Sequence, residues 1–173
     1  MKNPNMNFNT KFTPLTVDPD KIYDHSFAII KEEMGDHPFT DEQWMVVRRV
    51  IHASADFELG RSMIFTPDAL EAGIESILAG RHVVVDVQMI ESGSGRKRFQ
   101  KHNSDLHCYI ADEDVAKEAK AEGTTRAIIS MQKATRLHEG GIYAIGNAPT
   151  ALLELIRLIK DGVAKPDLII GMP

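Results

Sequence analysis

The chain contains a single cysteine, Cys108, which excludes an internal disulfide and a zinc cluster built from cysteines. That usage suits a reducing cytoplasm. No apolar run approaches the ~20 residues needed to span a bilayer, and the opening MKNPNMNFNTKF lacks the apolar centre of a secretory signal. Basic residues are scattered apart from GRKR at 95–98. With a net charge of −5, general nucleic-acid binding is not expected. Also missing are GxGxxG, a Walker loop, GxSxG and a cysteine–histidine nucleophile signature. The histidines outside the central segment (His25, His37, His82, His102, His107 and His138) show no HxH or HExxH spacing, so no protein-bound metal is expected.

What remains is an ordinary globular composition. The 173 residues, 43% hydrophobic and 26% charged, suffice for one domain with a sizeable core. Residues 1–20, rich in Asn, Pro and Thr, read as a flexible arm broken by Pro4, Pro14 and Pro19, and 21–173 as the domain. TDEQ at 40–43 is a capping-box pattern, and Trp44, Val47, Ile51, Ala55 and Leu59 then recur at helical spacing. A second helix is predicted from Thr66 and Pro67 to about Gly80. HVVVDVQMI, DLHCYIA, IYAIG and DLIIG read as strands. DEDVAKEAKAEG, TTRAIISMQKATRLHEGG and APTALLELIRLIKDG read as helices, the second with Thr124 as a candidate cap. Helices alternating with short, nearly continuous apolar strands predict a three-layer α/β/α domain with a mostly parallel sheet.

Three stretches carry chemistry-bearing residues. In VVRRVIHASAD, Arg48, His52 and Asp56 are spaced i, i+4, i+8, with Arg49 three residues before the histidine. On one helix face these residues are neighbours, so His52 would sit between cations and a carboxylate, with Asp56 able to hold the ring. A histidine so placed can exchange a proton near neutrality; the same pattern also describes a solvated stripe of weak ion pairs. In IYAIGNAPTALLEL, a strand runs through Gly146 and Asn147 into a helix. Ligands collect at such strand ends, and helix-start N–H groups suit a carboxylate or phosphate, although every fold of this class contains such turns. GTTR at 123–126 places Arg126 at a helix start, where it serves either as a carboxylate clamp or as a surface residue beside a capping threonine. ESGSGRKRF at 91–99 reads as a flexible basic loop.

Taken in order, RRVIHASAD, FTPDALEAGIESILAG, VVVDVQMIESG, CYIADEDVAKEAKAEGTTRA and AIGNAPTALLELIRLI…PDLIIGMP resemble the precorrin-8X methylmutase family, including its cobalt-precorrin-8 branch. The likeness runs from about Asp18 to Pro173. It implies a cofactor-free isomerase of cobalamin biosynthesis that moves a methyl group from C-11 to C-12 of a corrin-like macrocycle. The product is hydrogenobyrinic acid, or cobyrinic acid when the substrate already carries cobalt. The family histidine falls on His52, as proton donor to a ring nitrogen. Arg48, Arg49 and Arg126, the helix-start N–H groups near Gly146 and Asn147, and Ser26 of IYDHSFAII are then expected to meet the tetrapyrrole and its carboxylates. The resemblance also implies a homodimer. Val87 stands where relatives often carry Thr or Ala, and GSGRKR replaces a Gly-Ile stretch. The family's C-terminal tail is expected to be missing after GMP. Two rival readings are a non-catalytic tetrapyrrole carrier on the same fold and a generic nucleotide-binding α/β protein. The second rests only on the Gly146–Asn147 turn.

Overall fold

The computed structural model describes residues 18–172, leaving aside the side chains of 19 and 20. The arm expected over 1–20 lies outside that range except for its last three residues, of which Pro19 already opens a helix. The chain divides into two compact units, one ending at Phe65 and one starting at Thr66.

The first unit is helical: α1 (Pro19–Met34), α2 (Asp41–Ser54) and α3 (Phe57–Arg61). The capping box predicted at Thr40 is formed. The Thr40 hydroxyl accepts from the Gln43 N–H at 3.3 Å, and the Gln43 side chain accepts from the Thr40 N–H at 3.2 Å. Caps of this kind contribute about 1 kcal/mol. Ile30, Met34, Val47 and Ile51 form the core, flanked by Phe27, Phe39, Trp44, Phe57, Met63 and Phe65. Ala55 and Leu59 do not continue the α2 stripe. The helix stops at Ser54, Ala55 turns left-handed (φ 54°) and exposed, and α3 starts anew. Gly60 lets α3 lie directly on α2, because a Cβ there would stand 2.5 Å from Ile51 Cγ1.

The second unit is the α/β body. Its parallel strands β1 (Val83–Val85), β2 (Leu106–His107), β3 (Ile142–Ile145) and β4 (Leu168–Gly171) lie in the order β2-β1-β3-β4. Side chains alternate between the two faces. Val84, Tyr143 and Ile145 pack on α8 (Arg126–Leu137) and α9 (Pro149–Lys160) through Ala127, Met131, Ala134, Ala151, Leu155 and Leu158. Val83, Val85, Leu106 and Ile142 form the opposite face. They pack on Ile77 of α4 (Ala69–Leu78), Ile90 of α5 (Gln88–Ser94) and Phe99 of α6 (Arg96–Gln100). The expected three layers and parallel sheet are therefore present. α7 (Glu113–Glu122) ends at Gly123 as predicted.

Four local expectations differ. The strand read over HVVVDVQMI is only three residues long, because α5 starts at Gln88 with Val87 as its cap residue. The basic stretch expected to be a loop is instead helical, α5 and α6 being hinged at Gly95 (φ 73°). At the second predicted helix, Thr66 and Pro67 form a turn before Asp68 (φ 58°), so α4 starts at Ala69. The cap of α8 is Thr125 rather than Thr124, its hydroxyl accepting from the Ile128 N–H.

Candidate active site

The sequence-predicted residues fall in both units. The first holds Ser26, Arg48, Arg49 and His52. α2 presents half-buried His52 to two rings of α1, with centroids 5.1 Å away for Tyr23 and 5.5 Å for Phe27. Tyr23 and Phe27 are i, i+4 neighbours, and Ser26, three residues after Tyr23, shares that side of α1 by helical spacing. Arg48 lays its guanidinium 4.6 Å from the Phe27 centroid, a cation–π contact, and its Nε is buried without a hydrogen-bond partner. Arg49 is exposed. Among the described residues, neither arginine pairs with a carboxylate. An imidazole, two aromatic rings and two arginines without carboxylate partners among the described residues thus belong to this unit.

Asp56 does not orient His52 from the next turn of the same helix. α2 has ended, and the Asp56 carboxylate caps α3 by accepting from the Leu59 N–H at 3.0 Å. The helix closes before that turn because Ser54 turns its hydroxyl back to the Val50 carbonyl and accepts from the Asp56 N–H. Tyr23 and Phe27 escaped the sequence reading, although an aromatic i, i+4 pair around Ser26 was there to be noticed.

The second unit holds Arg126, Gly146 and Asn147. Arg126 is the exposed first residue of α8, also without a carboxylate partner among the described residues. The start of α8 is linked to that of α9 by a 3.5 Å contact between the Thr125 and Thr150 hydroxyls. At the turn after β3, the expected free N–H groups are already engaged. Fully buried Asp86 accepts from the N–H groups of Gly146 (3.1 Å), Asn147 (3.0 Å) and Ala148 (2.8 Å). A main-chain anion site is therefore filled by the protein's own carboxylate, while Gly146 and Asn147 remain exposed on their other side. Gly146 packs closely on Ile90, whose Cδ1 would stand 2.7 Å from a Cβ there.

Elsewhere in this unit an open groove of about 600 Å³ is lined by Thr66, Asp68, Lys165 and Asp167 among others, and none of the predicted site residues lines it. The fold also gathers His82, His107 and His138 into a cluster that could hold a metal ion. Burial, with neighbouring His107 and His82, pushes His138 down to about 4, and burial likewise lowers His107. The trio is drawn from three separate elements and so has neither HxH nor HExxH spacing.

A family model described as precorrin-8X methylmutase matches residues 21–173. The chain belongs to the precorrin-8X methylmutase family. As a methylmutase of this family it is an isomerase of cobalamin biosynthesis. The cobalt-precorrin-8 methylmutase of Priestia megaterium is 61% identical over 168 residues, covering 97% of this chain and 75% of that protein. The precorrin-8X methylmutase of a Sinorhizobium species is 33% identical over 156 residues, 90% of this chain and 74% of that one. The crystal structure of precorrin-8x methyl mutase from Thermus thermophilus superposes with a TM-score of 0.78 at 40% identity, covering 89% of this chain and 74% of that chain. The methylmutase resemblance and the α/β fold inferred from the sequence both agree with these findings. Among the described residues, no helix is long and apolar enough to cross a membrane.

Proposed function

We propose that the chain shifts a methyl group from C-11 to C-12 of precorrin-8X or cobalt-precorrin-8, with His52 as the proton donor. The supporting observation is the setting of His52: half-buried against Tyr23 and Phe27, one helical turn from Arg48, whose buried Nε has no partner. In a metal-free ring, the His52 imidazolium lends its proton to a ring nitrogen, drawing electron density from the conjugated system. The C-11–CH3 bond breaks as the C-12–CH3 bond forms, and the proton returns to His52. Nothing is oxidised and nothing leaves, so the reaction requires no cofactor. Any cobalt belongs to the substrate.

Arg48, Arg49 and Arg126 supply countercharge to the substrate's carboxylates, which suits cations without carboxylate partners in the protein. Ser26 in the first unit, and the outer faces of Gly146 and Asn147 in the second, are each taken as further contacts for the substrate. The working form is a cytoplasmic homodimer. Sedimentation at assay concentration tests the assembly, and a monomer with full activity would refute it.

The decisive experiment is His52→Ala. General acid catalysis contributes about 10²–10⁴-fold, so turnover of metal-free substrate should fall by that factor while the spectral titration of binding persists. Unchanged isomerisation would overturn the assignment. Cobalt-loaded substrate belongs in the same assay, because the relatives at 61% and 47% identity bear the cobalt-precorrin-8 name. There the metal holds the nitrogen lone pairs and withdraws electrons itself, so dependence on His52 should be weaker. If the chain were only a tetrapyrrole carrier, denaturation would release an unaltered chromophore.

A further inference from the structure

We infer that His82, His107 and His138 form a site for one divalent transition-metal ion of the zinc type, apart from the methyl-shift chemistry. The three residues come from different elements: His82 precedes β1, His107 closes β2, and His138 follows α8 on the way to β3. The pleat brings them together. His107 is in register with Val84, and His82 is two residues before Val84, so both histidines project to the face that also carries Tyr143. α8 delivers His138 onto the same face. The trio thus sits toward the amino ends of β1 and β3, whereas Gly146 and Asn147 follow the carboxyl end of β3.

One nitrogen from each ring lies within 4.8 Å of the others. His82 Nδ1 and His107 Nε2 are 2.9 Å apart, and ring centroids are 4.2 Å (His82–His138), 4.3 Å (His107–His138) and 4.9 Å (His82–His107). Three nitrogens at zinc-bond length, arranged tetrahedrally, stand roughly 3.3–3.4 Å apart, so small ring rotations suffice to close the set. The second observation concerns the far side of His138. The Tyr109 hydroxyl is hydrogen-bonded to His138 Nε2, while His138 Nδ1 is buried without a partner. An outer partner fixing one ring nitrogen and freeing the other is the usual support of a metal-bound histidine. Three imidazoles leave a fourth position for water, and such nitrogen donors suit Zn²⁺, Co²⁺ and Ni²⁺.

The test is metal uptake by the full chain. Protein stripped with chelator is dialysed against micromolar Zn²⁺ or Co²⁺, and metal per chain is measured by elemental analysis, with the visible bands of Co²⁺ reporting coordination. One equivalent is expected, with a raised Tm. His107→Gln should weaken binding by more than ~100-fold, and Tyr109→Phe by ~10–100-fold, the range for losing an outer partner. Exposed His102→Gln should leave uptake unchanged. If a variant misfolds, the wild-type stoichiometry still decides. Less than a tenth of an equivalent, or uptake that survives His82→Gln combined with His107→Gln, overturns the site.

Discussion

Replacing Asp86 should damage the second unit more than any single surface change, and its geometry sets the size of the loss. The carboxylate is 0% exposed and accepts three backbone hydrogen bonds, at 3.1, 3.0 and 2.8 Å. Hydrogen bonds to a charged group contribute about 1.5–3 kcal/mol each, but desolvating the ion offsets much of their sum; truncation leaves three backbone N–H groups without their acceptor, at about 1–3 kcal/mol each where water does not replace it. Asp86→Ala is therefore expected to lose about 3–5 kcal/mol. Asp86→Asn keeps the volume and one acceptor oxygen, but turns an NH2 group toward at least one N–H donor. Its expected loss is about 2–4 kcal/mol. For a chain of this size each kcal/mol moves Tm by about 2–4 °C, so Asp86→Ala should melt roughly 10 °C lower. Differential scanning calorimetry measures this directly, and added formate should recover part of the loss in Asp86→Ala by occupying the vacated carboxylate position. A melt within 1 °C of wild type for both variants would refute the view that Asp86 holds the turn after β3.

Two further outcomes follow from local geometry. Gly141→Ala puts a side chain at φ 79° with its Cβ 2.3 Å from the His82 carbonyl oxygen, whereas Gly123→Ala at φ 66° meets nothing within 4 Å. The left-handed backbone alone costs about 1–2 kcal/mol, so Gly123→Ala should lose that much in thermal melts and Gly141→Ala about 2 kcal/mol more; equal losses would remove the clash as a cause. Glu154, buried, accepts from Arg157 Nη2 at 2.6 Å, Arg157 Nε at 2.9 Å and Gln132 Nε2 at 2.8 Å, and these bonds, Arg157's first, hold its carboxyl below the ordinary 4.5. A depressed folded pKa contributes stability that is full above 4.5 and lost as pH falls through the lower folded value. The advantage of wild type over Glu154→Gln, about 1–2 kcal/mol at pH 7 given the half-exposed Arg157, should vanish in acid denaturation series below that range; a pH-independent difference would contradict it.

Much of this architecture can be read from the sequence wherever the signal is local. Thr40 and Gln43 lie three residues apart and make their cap with each other, and Gly123 and Pro149 mark helix ends within a few residues of the chain they punctuate. The apolar runs VVV and IYAI need only burial to become strands, and LIIG pairs with them at the half-exposed edge of the sheet. Reading failed where partners are distant or where a local alternative wins. Asp86 looks like a polar interruption of a strand until its partners, 60 to 62 residues away, are known. The histidine trio is spread at intervals of 25 and 31 residues and has no local period. Ala55 fits the helical stripe in spacing, but the Ser54 hydroxyl and the Asp56 cap compete for the same stretch and end the helix. At the candidate site, His52, Arg48 and Arg49 were visible as a pattern, whereas the rings that embrace His52 come from another helix.

The strand order β2-β1-β3-β4 sends the chain one way from β1 to β2 and the other way from β3 to β4. The connection after β1 therefore leaves over one face of the sheet and that after β3 over the other, and their divergence opens a crevice where many α/β proteins seat a phosphate. Here Asp86, the residue after β1, bolts the crevice to the residues after β3. Small free anions such as phosphate or nucleotide tails should consequently compete poorly for this end of the sheet. A large polycarboxylate would have to be recognised by side chains reaching outward, a division of labour that favours selection by overall ligand shape over capture of any single anionic group.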